Sequence, residues 1–190
     1  MKELIHYGKK IVAAGLADSH FGNVSKRVGD KMLISTTGSM LDELEGQIVE
    51  VPIYEKSSID MVASVSIKTH RLIYQRTSAL AVLHGHPKFC VIISLLYDDV
   101  DVIKPEDMES EYMLHEIPIV EGREGTDELA ENVSNALADH KAVIIRGHGA
   151  FTRGQTVDEA FVYLSSVEHA CMVKYFTDIG RWIRKLGGDR

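Results

Sequence analysis

The sequence predicts an α/β protein built as a three-layer sandwich around a sheet with mixed strand pairing. Three observations carry that expectation. Helix-like and strand-like segments alternate along the chain. A tight Gly29-Asp30 turn joins two strand-like runs, so pairing is not purely parallel. With 190 residues and 45% hydrophobic content, the chain is long enough for one well-buried domain, expected to occupy residues 1–190.

Residues 2–16 place Leu4, Ile5, Ile11, Val12 and Leu16 near one helical face, and Gly15 with the polar Asp18-Ser19-His20 ends it. Residues 22–27 read as a turn into a strand, residues 32–35 as its hairpin return, and residues 48–53 as a third strand. A helix starts near Ser64 or Ser66 and carries Ile67, His70, Ile73 and Tyr74 along one face. The apolar run 79–83 is a buried strand leading to His84, and Pro87 suits the first turn of a helix reaching Leu96. Residues 100–103 and 117–120 read as short strands around an acidic loop, 105–116. A helix spans 126–139, a strand 142–145 leads to His148, and the capping box Thr156-x-x-Glu159 opens a long helix to about Thr177. Residues 181–186 read as a further helical turn or two.

Charge and composition exclude several classes. A formal charge of −7 argues against general nucleic-acid binding and offers no polybasic membrane signal. The apolar stretch from Phe89 to Tyr97 is far too short to span a bilayer. The chain leads directly into an amphipathic pattern rather than a secretory signal, and Cys90 and Cys171 read as buried thiols, so the expected location is the cytoplasm.

Chemistry concentrates in His84-Gly85-His86-Pro87 and Gly147-His148-Gly149. Alternate residues of a strand share a face, so His84 and His86 can reach one ion together. His148 arrives at the end of a second apolar run, between small residues that let backbone and ligand approach. Three imidazoles with an open fourth position describe a catalytic zinc-type site better than a closed structural one. The competing reading is a solvated or core histidine pair, with His148 in a tight turn. His70 is expected to pack or hydrogen-bond near the site rather than ligate.

The ordered set Gly22-Asn23-x-Ser25, Thr37-Gly38, His84-x-His86-Pro87, Gly147-His148-Gly149, Gly154 and Glu159-Ala160 resembles the class II aldolase/adducin family across residues 5–175. The resemblance implies a mainly antiparallel central sheet with helices on both faces. It also implies a divalent ion, usually zinc, on His84, His86 and His148, and a ring of four subunits with sites at their interfaces. A small phosphorylated sugar, or an aldehyde/ketone pair, is the implied substrate, cleaved or joined at a carbon–carbon bond through a metal-stabilised enediolate. Asn23, Thr37, Gly38 and Ser64 match the positions that hold the phosphate. From the residues alone, Thr36-Thr37-Gly38-Ser39 reads as an ordinary turn.

Two departures from the family pattern bear on mechanism. Family aldolases carry Ser-Ser-Glu ahead of His70, with the glutamate as acid/base. Here Val65 replaces the second serine and Ser66 stands in the glutamate position. A serine does not perform a carboxylate's proton transfer unaided near neutral pH. The tyrosine that fuculose-phosphate aldolases place after the Ile117-Pro118 pair is also missing, with Gly122 or its neighbours in that stretch and Tyr112 nearby. Glu109 and Glu111 are the candidate substitute carboxylates. A related dehydratase, decarboxylase or epimerase is the first alternative function, and a metal-retaining, adducin-like binding protein the second.

Overall fold

Eight strands form one mixed sheet in the order β3-β2-β1-β4-β8-β7-β6-β5 in the computed structural model, which describes residues 1–18 and 20–187. Ser19, in the polar stretch expected to end the first helix, and residues 188–190 lie outside that description. The strands are β1 (Asn23–Val28), β2 (Lys31–Ser35), β3 (Ile48–Pro52), β4 (Ala81–Gly85), β5 (Val102–Ile103), β6 (Ile117–Val120), β7 (Ala142–Ile145) and β8 (Gly149–Gly154). Every neighbouring pair is antiparallel except β6 with β7. The mainly antiparallel mixed sheet is therefore the expected one.

Strand alternation sorts the interior into two cores. On β4, Ala81 and Leu83 join one cluster and Val82 the other; on β7, Ala142 and Ile144 oppose Val143 and Ile145. The first cluster takes side chains of α1 (Lys2–Ala13), α3 (Lys88–Leu96), α4 (Met108–Leu114) and α6 (Val157–Gly187). The second takes those of α2 (Ile67–Arg76) and α5 (Asp127–Asp139). Two helical layers thus enclose the sheet, giving the three-layer α/β/α sandwich.

Four local expectations need correction. The first helix ends at Ala13 rather than near residue 16. The acidic stretch 105–116 is not all loop: Asp107 accepts a hydrogen bond from the Ser110 N–H through its carboxylate and so caps α4. An unforeseen strand, β8, lies between β4 and β7 near the middle of the sheet. The segment at 181–186 continues α6 as one helix of 31 residues. Lys174, Asp178 and Arg181 support that continuity as an ion-pair ladder, with Arg181 also 2.8 Å from Glu106. The Thr156 cap is as expected, its hydroxyl accepting from the Glu159 N–H at 3.0 Å.

Candidate metal centre and substrate cleft

The residues that sequence spacing singled out converge at one end of the central strands. His84 is the fourth residue of β4, pairs across the sheet with Asn23 of β1, and lies fully inside the protein. His86 follows just beyond the strand, its N–H bonded to the Leu16 carbonyl at 2.8 Å. His148 arrives differently from the expected strand end. It closes the tight turn between β7 and β8, its N–H bonding the Ile145 carbonyl at 3.0 Å. Gly147 takes φ +68° inside that turn, a conformation L side chains resist.

Three imidazole nitrogens meet there. The Nε2 of His84 lies 3.1 Å from that of His86 and 3.3 Å from that of His148. Nitrogens sharing one tetrahedral zinc, at Zn–N distances of about 2.0–2.1 Å, stand about 3.3 Å apart. Two of the three spacings match that value and all three ligand atoms lie within 4.8 Å of one another, so small side-chain rotations bring the set onto one ion. Its chemistry fits too: the Nδ1 of His84 lies 2.9 Å from the Ala150 carbonyl, which can only accept, so the proton sits on Nδ1 and Nε2 keeps its lone pair. Burial holds His84 well below the ordinary imidazole range, with His86 and His148 adding to the effect. Burial, then His148, pushes His86 down to about 4. Ring stacking fixes orientation, Phe151 against His84 at 4.2 Å and Phe21 parallel to His86 at 5.2 Å between centroids.

Beside the triad, one cleft is lined by Asn23, Thr37, Gly38 and Ser64, together with His86 and Glu124. All four residues matched to phosphate binding thus share one wall. Asn23 and Ser64 are buried, whereas Thr37 and Gly38 stand at the exposed rim. Ser66 is the N-cap of α2 and is buried.

A polar network runs inward from this cleft. Burial pushes His70 down to about 3, so it is neutral and carries one ring proton. Its Nε2 lies 2.5 Å from the Asn23 Oδ1 and its Nδ1 2.6 Å from the Ser25 hydroxyl. An amide oxygen only accepts, so His70 donates from Nε2 and accepts from Ser25 at Nδ1. Ser25 in turn accepts from the Tyr74 hydroxyl at 2.7 Å. At the other end, the Asn23 amide donates to the Ser66 hydroxyl at 3.1 Å. His70 packs and hydrogen-bonds, as its sequence position suggested.

The candidate substitute carboxylates lie elsewhere. Glu109 and Glu111 are on the first turn of α4, a helix of the opposite layer, and neither lines the cleft that holds His86. Tyr112, on the same helix, is 78% exposed. The carboxylate that reaches the cleft is Glu124, from the loop between β6 and α5. No spacing rule pointed to it, because its partner Ser66 is 58 positions away in the chain.

The sequence pattern of the family described as Class II Aldolase and Adducin N-terminal domain matches residues 2–175. Over 174 residues the chain is 30% identical to an L-fuculose phosphate aldolase of Methanococcus maripaludis (strain C7), covering 90% of this chain and 91% of that one. It is 26% identical over 168 residues to a methylthioribulose-1-phosphate dehydratase of Komagataella phaffii, covering 78% of this chain and 70% of that one. The crystal structure of L-fuculose-1-phosphate aldolase from Thermus thermophilus superposes with a TM-score of 0.88 at 28% identity, over 95% of this chain and 94% of that one. Sequence and fold agree over nearly the whole length, and this chain belongs to the class II aldolase and adducin N-terminal domain family.

Proposed function

We propose that this protein is a zinc-dependent lyase that cleaves or forms a carbon–carbon bond in a small sugar phosphate such as L-fuculose 1-phosphate. The observation that carries the reading is the convergence of His84, His86 and His148 beside a cleft lined by Asn23, Thr37, Gly38 and Ser64. In this reading the three imidazoles hold zinc, and the second group holds the phosphate with side-chain and backbone donors. Bound zinc supplies Lewis-acid stabilisation of the negative charge that carbon–carbon cleavage leaves beside a ketone. His84 keeps its lone pair on the ion because the Ala150 carbonyl holds its proton on the other nitrogen. The cleft wall fixes the phosphate, and thereby the register of the scissile bond against the triad.

A second reading is a sugar-phosphate dehydratase on the same site, favoured by the methylthioribulose-1-phosphate dehydratase relative and by the serine at position 66. Either enzyme works as a homotetramer in the cytoplasm, as the family resemblance suggests. No helix among the described residues is long and apolar enough to cross a membrane.

The test is zinc-loaded protein incubated with L-fuculose 1-phosphate and with methylthioribulose 1-phosphate, metal content measured on the same sample. Release of dihydroxyacetone phosphate supports the lyase. Loss of water with the carbon chain intact supports the dehydratase. Bound zinc with neither product points to another reaction, such as a decarboxylation or epimerisation, or to the binding-protein alternative, and protein that takes up no zinc overturns both enzyme readings.

A further inference from the structure

We infer that Glu124 supplies the carboxylate of this site, standing in space for a glutamate at position 66, with Ser66 converted into the group that holds it. The inference rests on the lyase reading for its chemical role, while the placement rests on geometry alone. The Ser66 Oγ lies 3.1 Å from the Glu124 Oε1, and the other carboxylate oxygen, Oε2, lies 3.9 Å from the Nε2 of His148. One carboxylate therefore touches the residue in the glutamate position and faces a candidate zinc ligand.

The network behind Ser66 fixes its direction. Asn23 donates to the Ser66 oxygen, so the hydroxyl proton of Ser66 is free to point outward, and the Glu124 carboxylate is its acceptor. The direction follows from the Asn23 amide orientation, with its Oδ1 toward the His70 Nε2 and its NH2 toward Ser66. Every donor from Tyr74 through Ser25, His70, Asn23 and Ser66 points the same way, and the chain ends on Glu124. On its own side Glu124 sits in a hydrogen-bonded turn, with the Thr126 N–H and hydroxyl both donating to the Arg123 carbonyl at 3.2 and 2.6 Å. Thr126 also caps α5, which ties the turn to a rigid element.

In the lyase reaction the hydroxyl proton beside the scissile bond passes to Glu124. The O–H electron pair becomes the second C–O bond of the departing aldehyde, and the C–C pair passes to the ketone half as an enediolate. The carboxylic acid then returns its proton to that carbon, so the carboxylate is regenerated and nothing else is consumed.

The experiment compares the wild type, Glu124→Gln, and the double variant Ser66→Glu/Glu124→Gln, each loaded with zinc. On L-fuculose 1-phosphate, Glu124→Gln is expected to lower kcat about 100-fold or more with KM little changed. The double variant, its carboxylate restored from position 66, is expected to recover at least about tenfold of that loss. Glu124→Gln within about threefold of wild-type kcat overturns the assignment, as does a double variant no faster than the single one. Zinc affinity by chelator competition gives a second readout, independent of the substrate. Removing a negative charge that faces the ion is expected to raise the zinc Kd about fivefold, and the double variant to restore it. If wild-type protein binds zinc but does not turn over the sugar phosphate, the lyase reading fails. The Kd series then decides the placement of Glu124 by itself, an unchanged Kd in Glu124→Gln overturning it.

Discussion

His70 is the side chain that joins the cleft to the interior, and its protonation governs whether the network behind Ser66 holds together. The imidazole is fully buried and neutral, donating to Asn23 and accepting from Ser25. Protonation would set a second N–H against the Ser25 hydroxyl inside an apolar layer. Burial pushes this group down to about 3 from an ordinary value of 6.5. The unfolded chain therefore binds a proton below about pH 6.5 that the native protein does not bind until about pH 3. Its contribution is present in full above that window and is lost as pH falls through it, by up to about 1.4 kcal/mol per pH unit. In urea titrations of zinc-free protein between pH 7 and 4, wild type should lose stability more steeply than His70→Phe by up to that amount. His84 and His86 act in the same direction in both proteins, so the difference isolates His70. Equal slopes would mean that His70 is not held neutral. At pH 7 the same variant should be less stable by about 2–6 kcal/mol, because Asn23 and Ser25 lose buried partners worth about 1–3 kcal/mol each.

At the scale of elements, the turn between β7 and β8 determines whether the third imidazole reaches the other two. Gly147 sits at φ +68°, and a Cβ there would stand 3.2 Å from the Leu95 Cδ2. Gly147→Ala should destabilise the protein by about 1–2 kcal/mol and weaken zinc binding measured by chelator competition. Gly180, in the exposed part of α6 with nothing within 4 Å of a Cβ, is the matched control. Gly180→Ala should raise stability by about 0.5–1 kcal/mol and leave zinc affinity alone. If both substitutions move zinc affinity equally, the turn is not what places His148. The same region marks what local pattern could and could not reveal. The β1–β2 hairpin, the Thr156 cap and the strand carrying His84 were legible because each is written in adjacent residues. The strand β8 was not, since Gly149 and Gly154 bound it and Thr152 and Arg153 interrupt its apolar run. Its stability comes from pairing with β4 and β7 on both sides, which no local window contains. The helix α4 hid inside an acidic run whose charges read as solvated loop; it forms because Asp107 caps it and Leu114 packs inward.

Across the whole molecule, the three-histidine cluster was legible because each member lies within a few residues of an apolar strand, whereas Glu124 was not, because only the assembled sheet and the docking of α2 against α5 bring it to Ser66. α3 and α6 also leave several large apolar side chains in water. Leu95 and Leu96 of α3 and Phe176, Trp182, Ile183 and Leu186 of α6 are each more than half exposed. Leu96 and Trp182 line one shared hollow with Tyr97 and Tyr175, so at least these two belong to a continuous face. Monomeric proteins rarely leave a large contiguous apolar patch in water, and the family resemblance implies a ring of four. Sedimentation equilibrium should therefore find an assembly well above the 21.1 kDa of one chain. Placing charge in that hollow, as in Leu96→Glu/Trp182→Glu, should raise the dissociation constant about 100-fold or more, since a buried aromatic anchor alone carries about 2 kcal/mol or more at an interface. Leu95 connects this face to the chemistry, for it packs at Gly147, the residue before His148. The dissociated double variant should then bind zinc more weakly than wild type while keeping its helical circular dichroism. A 21.1 kDa wild-type species at tens of micromolar would show that the apolar face of α3 and α6 is not where copies of this chain meet.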